Sequence, residues 1–367
     1  MNVALLSPCF WPEVRRGGER FTRELADGLL TRGHHAELIT SHPGAPSRRV
    51  EDGLTVLRLP RPPQKRLLRR GYEPYLTHVP LSYLALRSGR HDLAHAIHPP
   101  DALAAARWRK KTGRPALLTY LGVPDRTGLR EFRRRLDLLV RAIDGCDAVV
   151  ALSRYAADAF RTWLGYDAPV IAPGVDLDAF RPAPARASAP TIVCSAAPEV
   201  PRKHVGLVID AFDLVRRELP LARLVLSAPS DARAAQRAGV DLLAPGVEWV
   251  DLDDRDRLAR SYGEAWVAVL PARDEAFGLV LAEALACGTP VVGYADGGIP
   301  EVVDGRGIGR LFTSLDARAL ADALLEAIEL AQDPRTPELC RARAQELSTD
   351  RCAERYLRLY RRVLEAA

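Results

Sequence analysis

Short apolar runs alternate with amphipathic segments along most of the chain, in the order typical of a parallel β-sheet protein. The run Val3–Ser7 precedes Glu19–Thr31, in which apolar residues recur at helical spacing until Gly33 ends the pattern. Further strands are predicted at Ala36–Thr40, Thr55–Leu59, Leu93–Ala96, Ala116–Tyr120 and Ala148–Leu152, with a helix over 154–163. Strands separated by helices of this size predict a parallel sheet covered on both faces.

The same alternation starts again after a proline-rich stretch. Pro169–Pro190 contains five prolines among small residues, which is typical of a connection between domains. Beyond it, strands are predicted at 191–195, 223–227, 247–250, 265–270 and 290–293, and helices at 205–218, 255–264, 280–287 and 315–330. We therefore predict an α/β protein of two Rossmann-like, doubly wound domains facing each other across a cleft, with ligands at the carboxyl ends of the strands.

Composition agrees with two soluble domains. The 367 residues exceed what one hydrophobic core usually supports, and 47% apolar with 27% charged residues excludes wholesale disorder. The net charge of +5 rests on arginine, since the chain has only four lysines, so Lys203 is a rare residue type here. The basic clusters Arg61–Arg70 and Arg126–Arg141 are predicted to be solvated faces, with peripheral contact to an anionic membrane left open. No motif accompanies them that would indicate nucleic-acid binding.

The cysteines and the amino terminus indicate a cytoplasmic protein without a metal site. No apolar run is long enough for a membrane-spanning helix, and Met1–Leu6 is interpreted as a first strand rather than a signal peptide. The six cysteines are scattered without metal-type pairs, so free thiols are expected. The acidic stretch Asp251–Asp254 is expected to be a solvated loop, and no metal is predicted.

The segment 271–284 is the strongest candidate for chemistry. A buried strand ends at Pro271, a polar turn follows, and a helix opens near Leu279. Glu275 then lies just before the helix and Glu283 inside it, where two carboxylates can accept hydrogen bonds from sugar hydroxyls. Gly278 permits close approach of backbone N–H groups to an anion at the helix start. The alternative interpretation is a capped helix with one solvated glutamate.

Four motifs together resemble one enzyme family. The spacing from Glu275 to Glu283 resembles the Glu-x7-Glu signature of the family-4 retaining glycosyltransferases of GT-B fold. The turn Gly297–Glu301, the glycine loop Gly17-Gly18-Glu19-Arg20, and Gly174-Val175-Asp176 with Phe180-Arg181-Pro182 are similar to further motifs of that family, in the same order. The resemblance implies an acceptor-side domain at 1–170, a nucleotide-sugar-binding domain at 171–345, and a final helix at 346–367 that returns to the first domain.

The resemblance also implies roles for individual residues in binding the donor. Glu283 would hold the ribose hydroxyls, and Glu275 with the backbone of Ala276, Phe277, Gly278 and Leu279 would hold the transferred sugar. Lys203, with Arg202 beside it, would pair with the diphosphate, next to the N–H groups of Gly17 and Gly18. Elementary electrostatics agrees, because Pro201-Arg202-Lys203 opens a helix where a cation and free N–H groups converge.

Two positions depart from the family pattern. Pro198 stands where the family usually has an arginine, and Leu121 where it often has a histidine near the reaction centre. A leucine can neither transfer a proton nor bind a hydroxyl. Three interpretations stay open: the role passes to His95 or His98, the acceptor is an amine or thiolate that needs little base help, or the chain has lost activity.

The predicted function is retaining transfer of a hexose-like unit from a UDP- or GDP-sugar to a small-molecule or lipid acceptor, in natural-product or cell-envelope biosynthesis. Lys203, Glu275 and His98 are the candidate catalytic residues, and no cofactor or metal is expected. The segments Gly44–Asp52, Pro60–Pro80 and Gly122–Arg135 are expected to be loops that contact the unidentified acceptor. The alternatives are transfer to a thiol or amine, and a non-catalytic nucleotide-sugar-binding protein.

Overall fold

A computed structural model of the chain describes residues 1–11, 13–14 and 17–367. These residues form two compact units, one of Met1–Gly174 together with Thr349–Ala367 and one of Val175–Ser348. Within the described part of the chain, no helix is both long and apolar enough to cross a membrane. All six cysteines carry free thiols.

The first unit is built on a seven-stranded sheet. Its strands are β1 (Asn2–Leu6), β2 (His35–His42), β3 (Ser47–Glu51), β4 (Leu54–Pro60), β5 (Leu93–Ala96), β6 (Ala116–Tyr120) and β7 (Ala148–Ala151). They lie in the order β3-β4-β2-β1-β5-β6-β7. Neighbouring strands are parallel except at the edge, where β3 pairs antiparallel with β4.

Helices cover both faces of this sheet. They are α1 (Gly17–Leu30), α2 (Lys65–Arg69), α3 (Val79–Ser88), α4 (Pro99–Thr112), α5 (Arg126–Arg130), α6 (Arg135–Gly145), α7 (Arg154–Leu164) and, from the end of the chain, α15 (Thr349–Glu365), with a 3-10 turn at Leu76–His78. One core contains Phe21 and Tyr356, and the other contains Trp108 and Phe160. The sheet is therefore buried on both sides, as the apolar strand sequences predict.

The second unit repeats this architecture with six parallel strands. They are β8 (Thr191–Cys194), β9 (Arg223–Ser227), β10 (Val247–Val250), β11 (Val267–Leu270), β12 (Val291–Tyr294) and β13 (Gly309–Phe312), in the order β10-β9-β8-β11-β12-β13. The helices are α8 (Val205–Glu218), α9 (Ala232–Arg237), α10 (Arg255–Glu264), α11 (Leu279–Ala286), α12 (Ile299–Val302), α13 (Ala317–Leu330) and α14 (Thr336–Glu346), with a 3-10 turn at Pro201–Lys203.

Several segments expected to be loops have regular structure. The Gly44–Asp52 segment contains β3, a polar edge strand whose Val50 side chain is 71% exposed. An exposed edge strand needs no apolar alternation, and so the hydrophobic pattern gives no signal for it. The Pro60–Pro80 and Gly122–Arg135 segments likewise contain α2, a 3-10 turn and α5. Asp254 is a helix cap of α10 rather than part of a plain solvated loop, because its carboxylate accepts from the Arg257 N–H.

The last helix, α15, is a core element of the first unit. Its tyrosines Tyr356 and Tyr360 are completely buried. The His95 ring on β5 bonds the Tyr360 hydroxyl through Nδ1 at 2.6 Å and the Thr119 hydroxyl through Nε2 at 2.7 Å, and Thr119 contacts the Tyr356 hydroxyl at 2.8 Å. Burial lowers the pKa of His95 to about 3. Of the two histidines considered as replacements for Leu121, His95 is therefore a neutral core residue with both nitrogens engaged.

The segment that begins the second unit is fastened by charged side chains. Asp176 accepts from the N–H groups of Asp178 and Ala179 and pairs with Arg255 at 2.8 Å. Arg341 on α14 donates to the carbonyls of Leu177 and Phe180 at 2.8 and 2.7 Å. The motif around Asp176 and Phe180 thus has a structural explanation, which is anchoring this segment to the helices of the second unit.

A buried pair of ionisable groups lies under α3 and α4. His78 and Asp101 are both fully buried, with His78 Nε2 3.8 Å from Asp101 Oδ1, and Asp101 also accepts from the Ser82 hydroxyl at 3.1 Å. Burial raises the pKa of Asp101 to about 7 and, aided by the charge of Arg61, lowers the pKa of His78 to about 4. Both groups are therefore neutral in the folded protein between these values.

This pair predicts how stability depends on pH. As pH rises from about 4 to 7, the unfolded chain releases the Asp101 proton while the folded chain keeps it, so this group lowers the free energy of unfolding. Asp101→Asn removes this pH-dependent loss in the free energy of unfolding, which is on the order of 4 kcal/mol over the whole range. Urea unfolding of wild type and variant across this range should show the variant gaining relative stability as pH rises. Asp137→Asn on the exposed side of α6 is the control, and a constant difference for Asp101→Asn would contradict the assignment.

Candidate functional site

The candidate site of the second unit lies at the reversal point of its sheet, which is the position where successive strands begin to be added on the opposite side of the first strand. β8 is the first strand of this unit, and its neighbours are β9 on one side and β11 on the other. The loops that leave β8 and β11 therefore part at the carboxyl edge, which is the usual ligand position in doubly wound sheets. Lys203 follows β8 and Glu275 follows β11, so two predicted site residues meet at this point.

Lys203, Arg202 and Glu275 form one ion cluster. Lys203 Nζ lies 2.5 Å from Glu275 Oε2, and Arg202 Nη1 lies 3.2 Å from the same oxygen. The Lys203 and Glu275 side chains are 17% and 16% exposed, whereas Arg202 is 48% exposed. The cluster carries two positive charges and one negative charge next to the start of the 14-residue helix α8. That surplus favours binding of an anion.

The charge state of Glu275 is set by its neighbours. Burial alone would raise the pKa of its carboxyl, but the charges of Lys203 and Arg202 and their hydrogen bonds outweigh it and lower the pKa below the ordinary value. Glu275 is therefore a carboxylate at neutral pH. It is suited to accept hydrogen bonds and to hold Lys203, and unsuited to donate a proton.

The loop from Asp274 to Gly278 has a constrained backbone. Asp274 has φ of 49°, Gly278 has φ of 99°, and His204 next to Lys203 has φ of 47°. Left-handed non-glycine residues are uncommon and cluster at functional sites. Ala276 and Phe277 are 7% and 4% exposed, so the middle of the loop packs inward while Glu275 reaches the cluster.

A glycine turn holds this loop in place. The Gly298 N–H donates to the Glu275 carbonyl at 2.7 Å, and Asp296 Oδ2 accepts from the Asp274 N–H at 2.7 Å. A Cβ atom on Gly297 would lie 2.4 Å from the Glu275 carbonyl oxygen, and one on Gly298 would lie 2.5 Å from that of Ala276. Sequence reasoning found the glycines through resemblance alone and missed Asp296, whose role depends on a contact 22 residues away.

Glu283 lies inside α11, whose first residue is Leu279, as predicted. Its side chain is 1% exposed, and its charge adds to burial in raising the pKa of Cys287, one turn further on, to about 12. At the end of α11, Arg341 donates to the Ala286 carbonyl at 2.7 Å and supports the helix. The second unit thus contains all the predicted donor-binding residues except Gly17 and Gly18.

The first unit has its own reversal point between β1 and β5. Gly17 and Gly18 open α1 after β1, and a Cβ atom on Gly18 would lie 2.9 Å from Leu121 Cδ1. Leu121 therefore packs against the glycine loop. His98 follows β5 directly before α4, and its Nε2 atom is buried without a hydrogen-bond partner among the described residues. Burial lowers the pKa of His98, although the charges of Glu19 and Glu73 oppose this effect.

Two arginines of the basic clusters are engaged rather than solvated. Arg135 is 13% exposed and contacts the Glu73 carboxylate at 2.8 and 2.9 Å. Arg61 is 14% exposed, pairs with Glu13 and donates to the Ser41 carbonyl at 2.6 Å. The prediction of solvated faces is wrong for these two residues, because carboxylates and a backbone carbonyl within the same unit satisfy their guanidinium groups.

Two family models match the chain, one in each half. The model described as Glycosyltransferase Family 4 matches residues 15–179, and the model described as Glycosyl transferases group 1 matches residues 177–346. Among curated proteins, a D-inositol 3-phosphate glycosyltransferase of Saccharomonospora viridis is 35% identical over 62% of this chain and 56% of its own length. One of Mycobacterium avium is 34% identical over 53% and 49%. The chain thus spans about half the length of these relatives.

Solved structures share the fold over the full chain. Sucrose-phosphate synthase from Thermosynechococcus elongatus covers 100% of both chains with a TM-score of 0.82 at 24% identity. Anabaena HepE in complex with UDP and glucose covers 97% of this chain and 98% of its own, with a TM-score of 0.72 at 18% identity. At these identities the likeness shows the fold alone, and it confirms the predicted GT-B class with two Rossmann-like domains.

The glycine turn gives a prediction about the Glu275 loop. In Gly298→Ala the new methyl group meets a backbone carbonyl that cannot move aside, so the loop should shift at a cost of roughly 1–3 kcal/mol. Hydrogen–deuterium exchange of peptides covering 274–279 should then be faster than in wild type. The control is Gly307→Ala, whose methyl would meet only the Leu339 side-chain end. Equal exchange in both variants would show that the turn does not hold the loop.

Proposed function

Because this chain belongs to the glycosyltransferases that these two models describe, we propose that it transfers a sugar, with retention, from a nucleoside diphosphate sugar to a small hydrophilic or lipid acceptor. The observation that carries the proposal is the cluster of Lys203, Arg202 and Glu275 at the reversal point of the second sheet. It combines cations for a diphosphate with a carboxylate for sugar hydroxyls in one place.

Each part of the donor has a proposed partner. Lys203 and Arg202 bind the diphosphate near the start of α8, and Glu275 with the backbone of Ala276 to Leu279 binds the transferred sugar. Glu283 binds the ribose. Gly17 and Gly18, which belong to the first unit, stay predictions as donor contacts. The nucleotide is UDP or GDP, and the full-length structural likeness to a protein solved with UDP supports testing UDP first.

The two cations of the cluster also support a proposed route for the reaction. The bond from the anomeric carbon to the phosphate oxygen breaks with both electrons passing to the diphosphate, so negative charge grows on the leaving group. Lys203 and Arg202 stabilise that charge in the transition state. The acceptor oxygen forms the new bond on the same face, and its proton passes to the departing phosphate. This route requires no protein base and, in our proposal, no metal, which makes Leu121 compatible with activity.

The acceptor is assigned only by class. The curated relatives are named as transferases acting on inositol 3-phosphate, and this compound therefore heads the acceptor panel. A thiol or amine acceptor is the second candidate, because a stronger nucleophile also needs less help. The catalytic role of His98 stays a prediction, and it is the one histidine of the two considered that has an uncommitted ring nitrogen.

Substitutions at two residues of opposite charge distinguish an effect on UDP binding from an effect on sugar transfer. Lys203→Met removes a charged partner of the diphosphate and should weaken UDP binding about 10- to 100-fold, with loss of transfer. Glu275→Gln leaves both cations free for the phosphates, so UDP binding should be retained or tightened while transfer falls at least ~100-fold. Calorimetry with UDP and a transfer assay measure the two effects.

The matched control for Lys203→Met is Lys111→Met on the exposed end of α4, which should change neither the UDP affinity nor the rate of transfer. If Glu275→Gln weakens UDP binding as much as Lys203→Met does, the carboxylate is structural and the sugar assignment is wrong.

A donor panel tests the activity itself. Nucleoside diphosphate sugars that bind the folded protein should raise its melting temperature, and a catalyst should release free nucleoside diphosphate slowly even without acceptor. Stabilisation by one donor together with slow hydrolysis supports the transferase. Tight binding with no hydrolysis and no transfer to any acceptor would instead establish the non-catalytic nucleotide-sugar-binding alternative.

A further inference from the structure

Three side chains from separate segments of the first unit meet at the carboxyl edge of its sheet. The ligand-type atoms of Cys9, Glu19 and His98 all lie within 4.8 Å of one another. The Cys9 thiol donates to Glu19 Oε1 at 3.1 Å. We call these three residues the Cys9 cluster. None of the cysteine spacings in the sequence indicates it, because only one ligand is a cysteine.

The sheet topology brings the cluster together. Cys9 lies in the segment that leaves β1, Glu19 lies in the first turn of α1, and His98 directly follows β5. β1 and β5 are parallel neighbours, with Leu6 paired to Ala96. Their carboxyl ends therefore release Cys9 and His98 on the same edge, where α1 begins. The Ser7 hydroxyl donates to the Cys9 carbonyl at 2.9 Å and fixes the backbone there.

The donor set has the chemistry of a transition-metal site. A thiolate, a carboxylate and an imidazole are the ligands of zinc in proteins, and magnesium or calcium would reject the sulfur. Ligands around a tetrahedral zinc ion lie about 3.5 Å apart, because the metal–ligand distances are near 2.0–2.3 Å. The Cys9 cluster needs side-chain shifts of only about 1 Å to reach that spacing.

Two of the three side chains of the cluster are buried. Cys9 and Glu19 are 3% and 4% exposed, and His98 is partly exposed although its Nε2 atom is buried. Tyr75 packs its ring edgewise against His98, with centroids 6.4 Å apart, and its backbone is held at φ of 65°. This packing limits the motion of the His98 ring. A ligand that is already held in place loses less entropy when it binds a metal ion.

We propose that Cys9, Glu19 and His98 bind one divalent transition-metal ion of the zinc class, with a fourth position left for water. Three protein ligands are the number found at zinc sites that keep an open position. An imidazole nitrogen that coordinates the metal is not available to take a proton, so metal binding and a base role for His98 exclude each other. The proposal uses residues of the first unit alone and does not depend on the transfer reaction.

Cobalt is the probe that tests it. Titration of the reduced, metal-free full chain with Co²⁺ should give a thiolate-to-cobalt charge-transfer band and intense tetrahedral d–d bands that saturate at one equivalent. Added Zn²⁺ should abolish both. Absence of a charge-transfer band, or saturation without sulfur coordination, would overturn the proposal.

Variants assign the ligands. Cys9→Ser keeps a hydroxyl that can donate to Glu19 but removes the thiolate, so the charge-transfer band should vanish and Zn²⁺ affinity should fall at least ~10-fold. Glu19→Gln should weaken Zn²⁺ while keeping the sulfur band. Cys146→Ser, at the end of α6 in the same unit, is the control and should behave as wild type. Zn²⁺ affinity unchanged in both Cys9→Ser and Glu19→Gln would place the metal elsewhere, and UDP binding, measured in parallel, reports independently on the donor site.

Discussion

In a parallel sheet with helices on both faces, the direction in which successive strands are added must reverse once, and that reversal decides where polar chemistry can exist. Elsewhere the connections from neighbouring strands leave toward the same face of the sheet, whereas at the reversal they leave toward opposite faces and open a crevice at the carboxyl edge. In this protein the reversals lie between β1 and β5 and between β8 and β11. The ion cluster and the Cys9 cluster each lie at one of them.

The two reversal points differ in the charged groups that they bring together. At the second sheet, Lys203 and Arg202 neutralise Glu275 while no anion is present, so the carboxylate keeps its charge in a largely buried loop. A bound diphosphate would compete for the same cations, and the turn of Gly297, Gly298 and Asp296 is what prevents the loop from moving meanwhile. At the first sheet, a thiol, a carboxyl and an imidazole face one another, and the Cys9 thiol donates to Glu19.

What the sequence could and could not predict follows from the range of the interactions. The strands Leu93–Ala96 and Ala116–Tyr120 were predicted to the residue, because buried parallel strands are short apolar runs bounded by turn signals. Glu275 and Lys203 were predicted as site residues from the family resemblance and from their positions near helix starts, and the structure pairs their side chains. Three features could not be predicted, because each depends on strand register or on the packing of separate segments. They are the polar strand β3, the hydrogen bond from the Asp274 N–H to Asp296, and the Cys9 cluster.

The position of α15 has a consequence for how the protein is made. Its tyrosines complete the hydrogen bonding of His95 and Thr119 in the first unit, yet they follow the second unit in the sequence. A ribosome therefore exposes the whole second unit, Val175–Ser348, before the first can close its core. Until residues 349–365 are made, the strands and helices of residues 1–174 lack the helix that covers part of their core, so this unit completes its folding only after the second unit has been synthesised.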